Sequence, residues 1–484
     1  MRLGWIGGLI LSVTVAHAAR VNAQTVKTGT QKEMVAVTPP MGWNSWDAYG
    51  LTITEQQFRA NVMVLAEKLK PFGWNYAVID EGWFFYNPED RSHPDNLQYA
   101  IDNYGRYVPV PARFPSSASM PQGTMPALNP QPAAPKLVAT FGQTSFRPLS
   151  DWVHARGLKF GIHIVRGIPR ASVERNMHIL GSTFDVVDAA DTADACPWDP
   201  TNWGVKNNAA GQAWYDSLLQ QYAAWGVDLI KVDCISSHPY KIDEIRMIRR
   251  AINKAGRPMV LSLSPGPTAL ENAAEVGETA QMWRISNDIW DYWVNPKPFP
   301  RSLSSQFETT AAWAKYAKPG NWPDADMLPL GELRPVPGDG EPRTTRLTPD
   351  EQKTMVTLWA MARSPLILGA NLTELDDATL KLLTNKEVIR IDQSSTGSRQ
   401  VGREGDVIAW TSDLPDGSHA LALFNVGDAP TKAMTRPWFA YGLTKRKSYR
   451  VWDVWAEKDL GPVEDGLFGV SLAPHACVLW VIRN

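Results

Sequence analysis

Lys231 and Asp233 stand two apart at the end of the run Val227-Asp228-Leu229-Ile230-Lys231-Val232-Asp233-Cys234. The run is mostly apolar and β-branched, which predicts a strand buried on both faces. Residues i and i+2 of a strand leave the same side, so an amine and a carboxylate emerge together at its C-terminal end. A neighbouring cation lowers a carboxyl pKa, and an ionised, fixed carboxylate can act as a nucleophile or a metal ligand. A structural ion pair capping the strand is the plainer alternative, because such pairs perturb pKa values as well.

Other residues able to do chemistry sit at or near the ends of similar short runs. The first run leads into Asn44-Ser45-Trp46-Asp47, and residues 76–79 lead into Asp80-Glu81. Residues 158–162 lead into His163, and residues 258–263 into Ser264. Arg284 lies in 282–286 with Asp288 just beyond, Asp326 lies in 324–328, and 364–369 form the eighth run. A mouth carrying carboxylates, a lysine, an arginine and tryptophans suits two enzyme classes. A glycosidase needs two carboxyl groups astride the scissile bond, with flat aromatic faces for the sugar. A metal-dependent barrel lyase or isomerase needs several carboxylates around a divalent ion. A non-catalytic sugar binder is a third class. His163 has no second histidine two residues away, which gives a zinc site little support, and no G-x-S-x-G elbow is present.

Helical patterns cover 54–70, 211–225, 241–255 and 348–362, the last opening on Thr348-Pro349, an N-cap with proline at N1. Eightfold strand–helix alternation predicts a (β/α)₈ TIM barrel over 35–395, with the polar strand ends on its catalytic face. No Gly-rich phosphate turn follows the first strand, so no dinucleotide is expected, nor any other cofactor or metal. Two long Pro-rich stretches, 86–147 (most of all its 109–147 part) and 329–346, follow strand ends and should lie on the same face. From 396 to 484, short runs between Asp-Gly and Pro turns predict a C-terminal antiparallel β-sandwich, read as a structural appendage.

A chain of 484 residues exceeds one ordinary core. Lys and Arg number 48 against 50 Asp and Glu, a balance that favours neither nucleic acid nor an anionic membrane as partner. Residues 1–23, with Arg2 ahead of a short apolar run and small-residue cleavage sites, read as a signal peptide. Export to the periplasm or the exterior follows, and with it a setting that permits disulfides. Three cysteines allow one internal bridge and leave one thiol.

Four motifs in order carry a resemblance: Thr38-Pro39-Pro40-Met41-Gly42-Trp43-Asn44-Ser45-Trp46; the run ending Lys231-Val232-Asp233-Cys234; Trp283-Arg284 followed by Asp288-Ile289, Asp291 and Trp293; and Pro319-Gly320-Asn321-Trp322-Pro323-Asp324-Ala325-Asp326-Met327-Leu328. From about Val37 to the C-terminus the chain resembles glycoside hydrolase family 27, the α-galactosidase (melibiase) family. The resemblance implies a secreted, retaining exo-glycosidase that hydrolyses terminal α-D-galactosyl residues of oligo- or polysaccharides by double displacement. It makes Asp233 the nucleophile and Asp288 the general acid/base. It places Trp46, Asp80, Glu81, His163, Lys231, Ser264, Arg284 and Asp326 around the sugar. It also implies a Cys196–Cys234 bridge, leaving Cys477 free and buried. Were 284–288 helical, Arg284 and Asp288 would share a face.

Two places depart from the family pattern. The second strand of the family usually ends Asp-Asp-Cys-Trp; here it reads Asp80-Glu81-Gly82-Trp83. The fifth usually leads into Cys-Glu-Trp; here into Ser264-Pro265-Gly266. Glu81, one methylene longer than Asp, either enters the space of the sugar's 6-hydroxymethyl group or turns aside beside Gly82. The first choice favours a pentopyranose of the same ring stereochemistry, β-L-arabinopyranose, and the second keeps galactose.

Overall fold

The computed structural model describes residues 34–89, 96–118, 137–140, 144–333, 341–444, 448–464 and 466–483. The expected leader (1–23) and much of the 109–147 stretch lie outside them. Eight parallel strands form the first sheet: β1 Met41–Asn44, β2 Tyr76–Ile79, β3 Lys159–Val165, β4 Leu229–Asp233, β5 Val260–Leu263, β6 Met282–Arg284, β7 Trp322–Asp324 and β8 Leu366–Leu368. Their order is β7-β6-β5-β4-β3-β2-β1-β8. Leu328, just past β7, pairs in parallel with Leu368 and donates its N–H to the Ile367 carbonyl at 2.8 Å, which closes the ring.

The two-residue period of these strands sorts their side chains. Tyr76, Val78, Leu229, Val260, Met282, Trp322 and Ile367 form one buried cluster inside the barrel. The alternate residues Ala77, Ile79, Ile230, Val232, Leu261 and Trp283 belong to the main core. Continuing the inward rows by steps of two gives Asp80 after Val78, Lys231 and Asp233 after Leu229, and Ser264 after Ser262. Each row is apolar below and polar at its C-terminal end, so the fold delivers the charged groups to one mouth. At Gly42 the neighbouring strand leaves no room, since a Cβ would run into the Tyr76 backbone.

The helices at the four places where the sequence showed helical patterns are α1 Glu55–Val64, α2 Ala209–Ala224, α3 Ile242–Ala255 and α4 Pro349–Ala362. Helix α1 begins at a capping box on Thr54 and runs on into a wider turn over Leu65–Leu69. Thr348 caps α4: its N–H reaches Glu351 Oε2 at 2.8 Å, and its hydroxyl accepts the Glu351 N–H at 3.3 Å.

Past the barrel lie β9 Thr396–Glu404, β10 Val407–Asp413, β11 His419–Asn425, β12 Thr431–Met434, β13 Ser448–Asp453, β14 Lys458–Glu464, β15 Gly469–Leu472 and β16 Cys477–Arg483. Six form an antiparallel sheet in the order β9-β10-β11-β16-β13-β14, and β12 pairs with β15. Leu421, Leu423, Val451, Trp480 and Ile482 of the large sheet share a core with Ala433, Trp438 and Leu472. The other face, with Trp410, Ala422, Phe424, Leu479 and Val481, joins the main core. His475 extends this joint: its ring stacks on Trp293 with centroids 4.0 Å apart and contacts Glu351 and Asp428. Cys477 is free but only half-buried, not fully buried as expected, because it opens β16 at the edge of this joint. Its thiol itself packs against Thr357 Oγ1 at 3.4 Å, and burial pushes it up to about 11.

Gly42→Ala should lower stability by about 1–3 kcal/mol or more, since the clash is with backbone rather than with a movable side chain. The drop should appear as a lower midpoint in urea unfolding; an unchanged midpoint would mean that β1 and β2 separate freely.

Candidate active site

One pocket lies at the C-terminal ends of the barrel strands. Trp46, Asp80, Glu81, Lys231, Asp233, Ser264, Arg284, Asp288 and Asp326 all line it. His163 does not. It is 1% exposed and lies behind Asp233, with Nε2 3.5 Å from Asp233 Oδ2.

Lys231 does not pair directly with Asp233, contrary to the reading from the single strand. Its ammonium donates to Asp80 Oδ2 at 2.8 Å, the same oxygen that accepts Asn44 Nδ2 at 2.7 Å. Asp80 Oδ1 accepts the Glu81 N–H at 2.9 Å, and the Asp80 N–H donates to Ser45 Oγ at 2.9 Å. Burial works to raise the Asp80 carboxyl, but the Lys231 charge, followed by His163, outweighs it and holds the group well below the usual range.

Asp233 is held from two other sides. Oδ1 accepts the Cys234 N–H at 2.6 Å, and Oδ2 faces His163. Cys234 has φ +61°, an uncommon conformation for a residue with a side chain. Its sulfur is bridged to Cys196, with the Cα atoms 5.9 Å apart. Burial opposes ionisation of Asp233, and His163, then Lys231, overcome it, so the carboxyl lies below its ordinary value.

Arg284 joins the opposite wall. Its Nη2 lies 2.7 Å from Asp326 Oδ2 and 3.1 Å from Asp288 Oδ1. The segment after β6 is not helical, so this pairing arises from a loop that folds back. Asp326 anchors that loop by accepting the Ile289 N–H at 2.7 Å, while its own carbonyl accepts Trp359 Nε1 at 2.9 Å. Burial raises Asp326, with Arg284 opposing and Asp288 and Asp324 adding to the rise. The Asp288 side chain is 39% exposed and that of Asp233 17%, so Asp288 stands nearer the mouth and Asp233 nearer the floor.

The pocket also contains Asp47, Ile289 and Met327, which stand in the quoted runs but were assigned no place in the site, and Trp198 and Trp290, which were not anticipated at all. Asp47, beside Trp46, is buried, and burial pushes its carboxyl well above the ordinary value. Trp198 follows Cys196 by two residues, so the bridge to Cys234 brings it to the rim. Their adjacency to Trp46 and to Cys196 was the available signal. Among the described residues no group of three or more His, Cys, Asp or Glu side chains is arranged to hold a metal ion.

Residues 204–394 match the family profile described as α-galactosidase A, and residues 404–482 that of the α-galactosidase C-terminal β-sandwich domain. A solved GH27 β-L-arabinopyranosidase from Geobacillus stearothermophilus is 41% identical, with 93% of this chain and 97% of that chain covered and a TM-score of 0.81. This chain belongs to glycoside hydrolase family 27. α-Galactosidase 2 of Arabidopsis thaliana is 25% identical over 480 residues, 97% of either chain. α-Galactosidase A of Cellvibrio japonicus is 28% identical over 431 residues, 87% of this chain and 83% of that one. As a family member the protein is a glycosidase, and its substrate is a carbohydrate.

Replacing Lys231 by Met would strand the Asp80 carboxylate, and breaking a buried pair from one side costs about 3–5 kcal/mol. Because the folded-state pKa of Asp80 is depressed, the stability from this pair is fully present above the unfolded carboxyl value of about 3.9. It is lost as pH falls through the folded value. Denaturant titrations of wild type and Lys231→Met should differ most at neutral pH and converge in acid. A gap that widens in acid would contradict the assignment.

Proposed function

We propose that the protein is a retaining exo-glycosidase that prefers β-L-arabinopyranosides to α-D-galactosides. In this reading the carboxylate of Asp233 attacks the anomeric carbon while Asp288 delivers its proton to the departing glycosidic oxygen. The glycosyl ester on Asp233 is then opened by a water molecule from which Asp288 takes a proton. Both groups line one pocket, with Asp233 toward the floor and Asp288 toward the mouth where a leaving group would depart. Asp80 fits the role of acceptor for sugar hydroxyls, being held ionised by Lys231. Arg284, which touches Asp288 and Asp326, fits that of a donor.

Glu81 carries the choice of sugar. It is buried, lines the pocket and follows Asp80 on the sugar-facing rim. The alternative was that it turns aside into space left beside Gly82. That space is filled: a Cβ on Gly82, at φ +93°, would lie 2.9 Å from both Cβ and the carbonyl oxygen of Leu51. With Leu51 there, we read the longer acid, which lines the pocket, as taking the room an exocyclic hydroxymethyl group would need. Higher identity to a β-L-arabinopyranosidase than to the α-galactosidases above supports the same choice. Export is part of this reading as well, supported by the leader-like N-terminus and the Cys196–Cys234 bridge.

Assays of kcat/KM on nitrophenyl β-L-arabinopyranoside and α-D-galactoside test the specificity. Wild type should favour the pentoside, and Glu81→Asp should swing the ratio toward the galactoside by about 10- to 200-fold, the range for a methylene-sized fit. A wild-type preference for the galactoside, or a ratio unmoved by the substitution, would overturn it. Separately, anomeric NMR of the first-formed product should show the configuration of the substrate, and an inverted product would remove Asp233 from the nucleophile role.

A further inference from the structure

We propose that His163 is a positioning residue for the nucleophile: from behind the pocket its ring faces Asp233 through Nε2, 3.5 Å from Oδ2, and keeps that carboxylate aimed. This rests on the reading of Asp233 as nucleophile. The resemblance had placed His163 around the sugar, but it is buried and does not line the pocket. The Ile164 and Val165 that follow it in β3 are buried, and its carbonyl accepts Trp83 Nε1 at 2.8 Å, which fixes the strand at this point.

Strand register brings the two groups together. His163 lies opposite Lys231 and Val165 opposite Asp233 across the β3–β4 pairing. The groups facing this corner are Asp80 and Glu81 from the end of β2, Lys231 and Asp233 from β4, and Ser264 after β5. Arg284, Asp288 and Asp326 stand across the pocket. Lys231 is committed to Asp80 at 2.8 Å and Arg284 to Asp288 and Asp326. Among the described residues this leaves His163 as the side chain turned to Asp233, with Nε2 3.5 Å from Oδ2, while the Cys234 N–H donates to the other oxygen.

The ring's second nitrogen settles which proton does the work. Nδ1 is buried and has no hydrogen-bond partner among the described residues. A proton there would leave a buried donor unsatisfied, so the neutral ring carries its proton on Nε2, facing Asp233. Burial disfavours the charged ring, but Asp80 and then Asp233 outweigh that and raise its pKa, and the imidazolium keeps the same Nε2–H. The donor therefore persists through titration of the ring. At 3.5 Å the contact is longer than a formed hydrogen bond, so the ring steadies the carboxylate electrostatically and leaves the oxygen able to attack.

The test compares His163→Phe, which keeps a flat ring and removes the donor, with His163→Gln, which restores an N–H. In His163→Phe, kcat should fall about 100-fold, the penalty for a misplaced reacting group, while KM stays within about threefold. Because His163 favours ionised Asp233, its removal raises the pKa of that carboxyl, so the acidic limb of kcat/KM should move to higher pH. His163→Gln should recover part of both effects. A fall in kcat with the acidic limb unmoved, or no fall at all, would overturn the proposal. Should His163→Phe not fold, nitrogen-15 NMR of wild type at alkaline pH decides: a protonated Nε2 supports the proposal and a protonated Nδ1 overturns it. The nucleophile reading is tested apart, by azide rescue of Asp233→Gly to a glycosyl azide of inverted anomer. Failed rescue sinks that reading, whereas rescue alongside an unmoved acidic limb sinks only the role of His163.

Discussion

The buried contact between Lys231 and Asp80 sets the charge balance of the whole mouth. Asp47, Asp80, Glu81, Asp233, Asp288, Asp324 and Asp326 crowd the C-terminal end of one barrel, and the cations among them are Lys231 and Arg284, with His163 behind. So many carboxyls cannot all ionise out of water. The structure divides them. Those served by Lys231 and His163, Asp80 and Asp233, are held below their ordinary values. Asp47, Asp324 and Asp326, where burial dominates, are raised. The same constraint explains why Lys231 pairs with Asp80 rather than with its strand neighbour. In the role proposed for Asp233, a carboxylate locked to an ammonium would be quenched, whereas one facing an imidazole and bonded to a backbone N–H stays available.

Much of this was legible in the chain. Apolar rows ending in charged residues marked the barrel's catalytic face, because the two-residue period of a strand is dictated by its geometry. The capped start of α4 at Thr348 was readable for a similarly local reason. The partner of Lys231 was not. It depends on register between strands, with Val78 opposite Gly161 and His163 opposite Lys231, and register is set by packing across the sheet rather than by any one strand. The same holds for Gly82: its missing side chain suggested empty space, and only tertiary packing shows Leu51 in it. Arg284 and Asp288 would have shared a face only had 284–288 been helical; their contact is made by a loop, with Asp326 pinning that loop.

The C-terminal sheet is more than an appendage in its packing. Trp293, on the loop that carries Asp288, stacks on His475 of the β-domain. Asp291 on that loop is buried and accepts Arg343 Nε at 2.9 Å and the Arg346 N–H at 2.9 Å. The segment that returns to α4 therefore grips the loop that carries Asp288 from one side and the β-domain supports it from another. Asp233 sits on a barrel strand; Asp288 sits on a loop that needs these braces.

Trapping the covalent intermediate would identify the attacking carboxylate. A 2-deoxy-2-fluoro β-L-arabinopyranosyl fluoride slows both chemical steps, so that the glycosyl enzyme accumulates, and peptide mass spectrometry then locates the sugar. The account predicts a single label, on Asp233 in the peptide that contains Lys231. A label on Asp288 or Asp80, or inactivation without any covalent sugar, would contradict it.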